Sequence, residues 1–428
     1  MWRSYKERVH ALSRRLVEAQ RPIRVLDALK WGDEIEEQFV ARKGRDLPKV
    51  DAAWYRDQRP LKFDPEAKIA EFEAIRRDLD VQLGQDDALG AIVHRYCLEY
   101  QDVVRMLCAR GTTGFYEYSR RLYGSPKDHL LDERTTLAEL GHMLYDILNG
   151  IEEDRLGVVL PRVLTGEQVV DQLNARFGEY FGDCVVAAKL DDGILSDAAA
   201  GADYVKIRAD QMFSQRDVDV FEVHEGWVHV GTNKNGERQH VATWLSKGPP
   251  STAAIQEGLA VLMEIFTFRA SPRRAHALNN RILACEKAED GADFVELVEF
   301  YRCEGYAPRD CFRHAQRVVR GGVVGGGAPF TKDIVYCRGF VEIYNFLRTA
   351  IRLGRPELIP FLFVGKVALD DLPALYQKHR EGVIDAPTYL PPQFRDLNGL
   401  AMWLAYSNFF NRIDLTRVQD YYRARLGA

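Results

Sequence analysis

His224-Glu225-Gly226-Trp227-Val228-His229 sets an acid directly after one imidazole and a second imidazole five residues beyond the first. When histidines stand four apart on a helix, both rings leave one face, about 40° apart at 3.6 residues per turn. Five steps of a regular α-helix carry the second ring roughly 140° round, too far for both to reach one ion at about 2.0–2.1 Å. The spacing therefore predicts a local widening, a turn bonded i→i+5, that realigns the rings. Gly226 eases it, because a residue without Cβ tolerates unusual backbone angles. In a chain of 428 residues with 10 His and 63 acids, His-acid-x-x-x-His arises by chance about 0.03 times. The pattern is a pointer, and its surroundings decide.

Upstream, Ser214-Gln215-Arg216-Asp217 reads as a capped helix start, and Val220, Phe221, Val223, Trp227 and Val228 give the helix a buried side. Gly231 is the expected helix end, and Asn233-Lys234-Asn235-Gly236-Glu237 has turn chemistry. Pro249-Pro250-Ser251-Thr252 then introduces a second helix, from about 252 to 268, carrying Gln256-Glu257-Gly258-Leu259-Ala260. A histidine helix, a connection and a second helix bringing a carboxylate is the layout of glutamate-liganded zinc peptidases. The three-histidine layout fits badly, since the position six beyond His229 is Asn235. Glu257 and Glu264 stand seven apart and share one helix face, so periodicity does not choose between them. Gly258 favours Glu257 by letting two helices approach closely.

A charged fraction of 28% beside 46% hydrophobic residues is that of an ordinary soluble globular protein, and a net charge of -5 argues against bulk nucleic-acid binding. Arg269, Arg273, Arg274 and His276 read as a solvated helix end. The charged N-terminus lacks a signal peptide's apolar run, and no apolar stretch approaches the 18 or more residues of a membrane span. Seven cysteines without CxxC pairing suit reduced thiols, with Cys303 and Cys311 read as buried small hydrophobes. A cytoplasmic protein is expected.

The pattern along the chain is α+β and predominantly helical. It divides into an N-terminal helical lobe over 1–155, a core over 156–270 holding both motifs, and a C-terminal helical lobe over 271–428 completing a cleft. Within the core, a helix near 166–177 precedes strands at 184–189 and 204–207, set around a hairpin turn at Asp191-Asp192-Gly193. The run from Arg320 to Lys332 is glycine-rich but lacks the Gly-Lys-Ser/Thr context of a phosphate loop, so it reads as a mobile loop or as a flap near the cleft.

The QEGLA segment with HExxxH upstream resembles a bacterial family named for its QEGLA motif and associated by name with modulation of flavohaemoglobin expression. That group is similar to the eukaryotic tyrosine carboxypeptidases that trim α-tubulin. Further blocks carry the resemblance across most of the chain: Arg110-Gly111-Thr112 with Phe115, Ser119 and Leu122-Tyr123-Gly124, then Pro329 to Asp333, Tyr336-Cys337-Arg338-Gly339 and Tyr389-Leu390-Pro391-Pro392. The resemblance implies a zincin-like metallopeptidase core with a small mixed sheet, Zn2+ held by His224, His229 and Glu257, and Glu225 as catalytic base. It also implies an edge strand at Tyr204–Ile207 that receives the substrate backbone. His240, Tyr336 and Tyr344 are candidates for a second electrophile. Arg338 and Lys332 are candidates for holding a terminal carboxylate, Arg338 first because a guanidinium fork suits that group. The expected function is a zinc carboxypeptidase removing an aromatic or bulky residue from a peptide or protein C-terminus. The alternatives are a dipeptidyl-peptidase-like exopeptidase acting at the N-terminus and a non-catalytic metal-binding regulator.

Overall fold

Side-chain caps bound many of the helices that make up most of this chain. Asp64 caps Pro65–Leu83 and Asp87 caps Ala88–Cys108, each carboxylate accepting a first-turn backbone N–H. Thr136, Thr165 and Ser214 form reciprocal capping boxes for Leu137–Asn149, Gly166–Phe181 and Gln215–Phe221. The computed structural model describes residues 2–157, 160–182, 185–410 and 412–426. Cys184, the expected start of the first strand, lies outside the described residues.

The main apolar core draws Leu12, Tyr96, Trp227, Leu259, Ile343 and Phe363 together, so it runs through all three expected stretches of the chain. Both motif-bearing helices are set in that shared core, which holds them rigidly. The family-like blocks meet there too. Arg110 donates to the carbonyls of Leu107, Ala28 and Arg59, Ser119 Oγ lies 3.0 Å from Thr331 Oγ1, and the Phe115 and Phe330 rings pack edge-on.

The sheet has three strands: β1 (Ala187–Asp191), β2 (Ala198–Ala200) and β3 (Tyr204–Arg208), in the order β1-β3-β2. β1 pairs with β3 in parallel and β2 pairs with β3 antiparallel, so the sheet is mixed. This corrects two expectations. Because β1 and β3 run parallel, Asp191-Asp192-Gly193 is not a hairpin turn; Asp191 instead accepts the Gly193 N–H and pairs with Lys206 at 2.5 Å. β3 is hydrogen-bonded on both sides and cannot receive another strand, and β1 and β2 are the two edges.

The helix at Gln215–Phe221 passes directly into a π-helix over Glu222–Val230 and then into an α-helix over Gly231–Glu237. The expected stop at Gly231 and turn at 233–237 are therefore overturned. Asn235 explains why turn propensity loses. Its amide donates to the carbonyls of Phe363 and Tyr389 and accepts from the backbone N–H groups of Thr388 and Tyr389, so tertiary bonds hold the segment helical. A short 3-10 turn at Pro250–Thr252 leads into the helix Ala253–Phe266, close to expectation.

Two further expectations change. The glycine run from Arg320 is packed: the Gly321 N–H donates to Tyr55 Oη, the Gly327 N–H to Ala288 O, and a Cβ on Gly326 would meet Gly291 O at 2.2 Å. Gly322 and Gly326 serve close backbone approach, and this packing argues against a mobile loop or flap. Cys311 is buried as expected, whereas Cys303 is exposed. Among the described residues, no helix is long and apolar enough to cross a membrane.

Candidate metal centre

The π-helix is what lets the two histidines meet. Its widened turn is seen in the Gly231 N–H, which reaches back five residues to Gly226 O, and the rings of His224 and His229 come to 4.9 Å between centroids. Gly226 contributes differently from expectation. It is not among the glycines with positive φ, but a Cβ there would strike the Phe177 ring at 2.4 Å. Its role is close packing beneath the widened turn.

The Ala253–Phe266 helix brings Glu257 up to both rings. Glu257 Oε2 lies 3.5 Å from His224 Nε2 and 3.3 Å from His229 Nε2, and it is buried without a hydrogen-bond partner. Ligand atoms placed tetrahedrally at about 2.05 Å from one centre would stand about 3.3 Å apart. The three side chains thus fit a shared metal ion, with ligand atoms mutually within 4.8 Å. Metal uptake would also satisfy the orphaned carboxylate oxygen.

Each residue of the QEGLA segment has a visible task. Gln256 Oε1 accepts from Thr232 Oγ1 at 2.8 Å and from Lys366 Nζ at 2.6 Å. Gly258 permits a backbone crossing, since a Cβ there would fall 2.0 Å from Gly339 C, and one on Gly339 would fall 1.7 Å from Ala254 O. The close approach that favoured Glu257 is therefore made to the Val335–Arg352 helix and not to the histidine helix. Leu259 and Ala260 are fully buried.

Glu264, the competing carboxylate, takes a supporting place. Its Oε1 lies 2.7 Å from His224 Nδ1, and Arg274 grips it through Nη2 at 2.9 Å and Nε at 3.1 Å. That contact fixes the His224 ring so that Nε2 faces Glu257. Burial opposes charge on all these groups, yet mutual attraction wins. Arg274 and His224 hold Glu264 down to about 2, and Glu257, Glu264 and Glu225 raise His224 to about 10. Burial likewise works against ionised Glu257, but His229 and His224 hold it well below the carboxylate range. Arg274 is thus no solvated helix end, nor is Arg269, which pairs with Glu222 at 3.0 Å and covers the Trp227 ring.

Glu225 stands beside the triad, with Oε1 4.0 Å from His224 Nε2. Its Oε2 accepts the Ala200 N–H at 2.8 Å, a donor on the side of β2 turned away from β3. Lys332 reaches the centre, with Nζ 3.7 Å from Glu257 Oε1. Tyr336 stacks on His224, its ring 6.4 Å away and inclined 22°. The other candidates lie elsewhere. Arg338 is engaged by Glu342 and by Tyr123 O, Tyr344 bonds Ser407, and His240 is exposed and held by Asp385.

Lys366 went unread in the sequence. Its Nζ donates to His229 O at 2.9 Å, to Thr232 Oγ1 at 3.0 Å and to Gln256 Oε1, serving a carbonyl of the widened turn. Burial pushes it down to about 7 against the pull of Glu257 and Glu225. The available signal was one lysine inside the apolar run from Pro360 to Leu369.

Two imidazoles, a carboxylate oxygen without a hydrogen-bond partner and an adjacent acid held by the Ala200 N–H, assembled on a π-helix and its neighbour, define a candidate metal centre. The family profile of the microtubule-associated tyrosine carboxypeptidases matches residues 37–412, and the chain belongs to that family. No curated protein matches it.

Proposed function

We propose that this protein is a zinc-dependent carboxypeptidase that removes an aromatic or bulky residue from the C-terminus of a peptide or protein. Its ligands are His224, His229 and Glu257, its general base is Glu225, and its core is zincin-like. The observation that carries the reading is the meeting of those three ligand atoms beside Glu225, in a chain whose family is named for tyrosine carboxypeptidases. A bound zinc ion supplies Lewis-acid polarisation of the scissile carbonyl and a water of lowered pKa.

The protein's own groups do the rest. Glu225 takes a proton from the attacking water and returns it to the leaving amine as the C–N bond breaks. The Ala200 N–H holds one oxygen of Glu225 and leaves the other facing the triad. Glu264 keeps His224 oriented, and Lys366 and Gln256 brace the turn that carries His229. The outer side of β2 is the edge along which an extended substrate would add as a further strand.

The test is a mixed peptide library incubated with zinc-loaded protein, followed by mass spectrometry at both termini beside a Glu225→Gln control. Single C-terminal losses in the wild type alone are expected. Losses from the N-terminus, or none despite bound metal, would overturn the proposal.

A further inference from the structure

Resting on the carboxypeptidase reading, the geometry points to Arg281, assisted by Lys332, as the subsite that takes the free C-terminal carboxylate of the substrate. We propose that Tyr336 is the platform that separates it from the metal ligands.

The arginines around the centre narrow the choice. Arg274 is committed to Glu264, Arg269 to Glu222, Arg317 to Asp333 and Arg338 to Glu342, while Arg320, whose Nε is also unmet, lies over the Phe330 ring and not over Tyr336. Arg281, on the Pro272–Glu289 helix, feels the charge of Asp333 but has no ion pair within 4.0 Å among the described residues, and its Nε and Nη1 are buried without an acceptor. A cation with unmet donors in a sheltered position is costly unless an anion joins it.

Its place matches the need. The Arg281 guanidinium lies over the Tyr336 ring, 4.3 Å from the centroid, and the same ring stacks on His224. Stacking engages the face of a guanidinium and leaves its in-plane fork of N–H groups for a carboxylate. In a carboxypeptidase the scissile carbonyl and the terminal carboxylate are one residue apart, a span of about 3.3–3.6 Å. The cation that binds the carboxylate must therefore sit one hydrogen bond beyond that short reach. Lys332 Nζ, 3.7 Å from Glu257 Oε1, places a second positive charge beside the candidate ligands themselves. A subsite of this kind would confine cleavage to the last residue of a chain, because an internal peptide bond offers no anion there.

The experiment separates binding from hydrolysis. Zinc-loaded Glu225→Gln protein is titrated calorimetrically with a short peptide ending in tyrosine, as the free acid and as the C-terminal amide. The acid is expected to bind at least tenfold more tightly. Adding Arg281→Gln should erase most of that difference while metal content and the thermal transition stay unchanged, and Arg281→Lys, which keeps charge and loses the fork, should restore part of it. Equal affinity for acid and amide, binding of neither peptide, or a preference that survives Arg281→Gln would overturn the assignment. If Arg281→Gln misfolds, the Arg281→Lys titration decides: an undiminished acid preference there overturns it. A preference that depends on Arg281 in a protein whose wild type trims no peptide would keep the subsite and remove the peptidase reading instead.

Discussion

Replacing Glu264 with Gln tests whether the centre is organised from behind. Glu264 gives one oxygen to His224 Nδ1 at 2.7 Å and both oxygens to Arg274. The amide keeps the shape but loses the charge and one acceptor. Groups that orient a ligating histidine in this way are worth about 10–100-fold in metal affinity. Charge-assisted hydrogen bonds contribute about 1.5–3 kcal/mol each, and part of that is regained because Arg274 is only partly buried, so a net destabilisation of about 2 kcal/mol is expected. Affinity is read by competition with a chromophoric chelator, and stability by urea unfolding of metal-free protein. A double variant, Glu264→Gln with Arg274→Met, separates the two effects. Removing the stranded cation should recover stability without recovering affinity, since His224 still lacks its carboxylate. Wild-type affinity in Glu264→Gln, alongside lowered stability, would refute the orienting role and leave Glu264 a structural acid only.

Five other outcomes are expected. Glu225→Gln should retain bound metal and lose peptidase activity by about 10²–10⁴-fold, seen in metal analysis and peptide cleavage together. Gly258→Ala should destabilise by about 3 kcal/mol or more, because its Cβ falls 2.0 Å from backbone. Gly231→Ala, whose Cβ would meet nothing nearer than 3.6 Å in a helix, should be neutral or gain about 0.5–1 kcal/mol in the same unfolding assay. His314 is lowered to about 3 by burial and by Arg281 and Arg317. The unfolded chain therefore binds the extra proton first, and stability is complete above about pH 6.5 and declines as pH falls towards 3. His314→Phe should lose about 2 kcal/mol less than the wild type between pH 7 and pH 4.5, measured by urea unfolding. Chelation should lower the thermal transition, since free metal at about a thousand times Kd adds about 4 kcal/mol, and Glu257→Gln should abolish most of that dependence in calorimetry.

Local features carried most of the site into the sequence. The five-residue histidine spacing demanded a widened turn because two rings must meet at one point, and the chain has a π-helix there. The capping residues at Ser214 and the proline lead-in at 249–252 were legible because they act on neighbouring backbone. Glu257 and Glu264 were both visible and could not be ranked, since each lies on the same face and each contacts His224. What escaped depends on distant partners. The Asn235 segment looks like a turn until the carbonyls of Phe363 and Tyr389 are supplied, and Ala198–Ala200 has helix-forming residues that pair as a strand only because β3 lies beside them. Arg281 is one arginine among many until its helix is laid across Tyr336.

The crossing of Gly258 with Gly339 has a consequence for synthesis. By the time residue 257 has left the ribosome all three candidate ligand side chains exist, yet the backbone seat at Gly339 and the brace at Lys366 have still to be made. A nascent or truncated chain ending before them carries the donor atoms without the geometry that distinguishes one divalent ion from another. At that stage the order of intrinsic affinities favours copper over zinc. A metal ion held at this centre would therefore meet its full geometry only once the C-terminal helices have packed against His229 and Glu257.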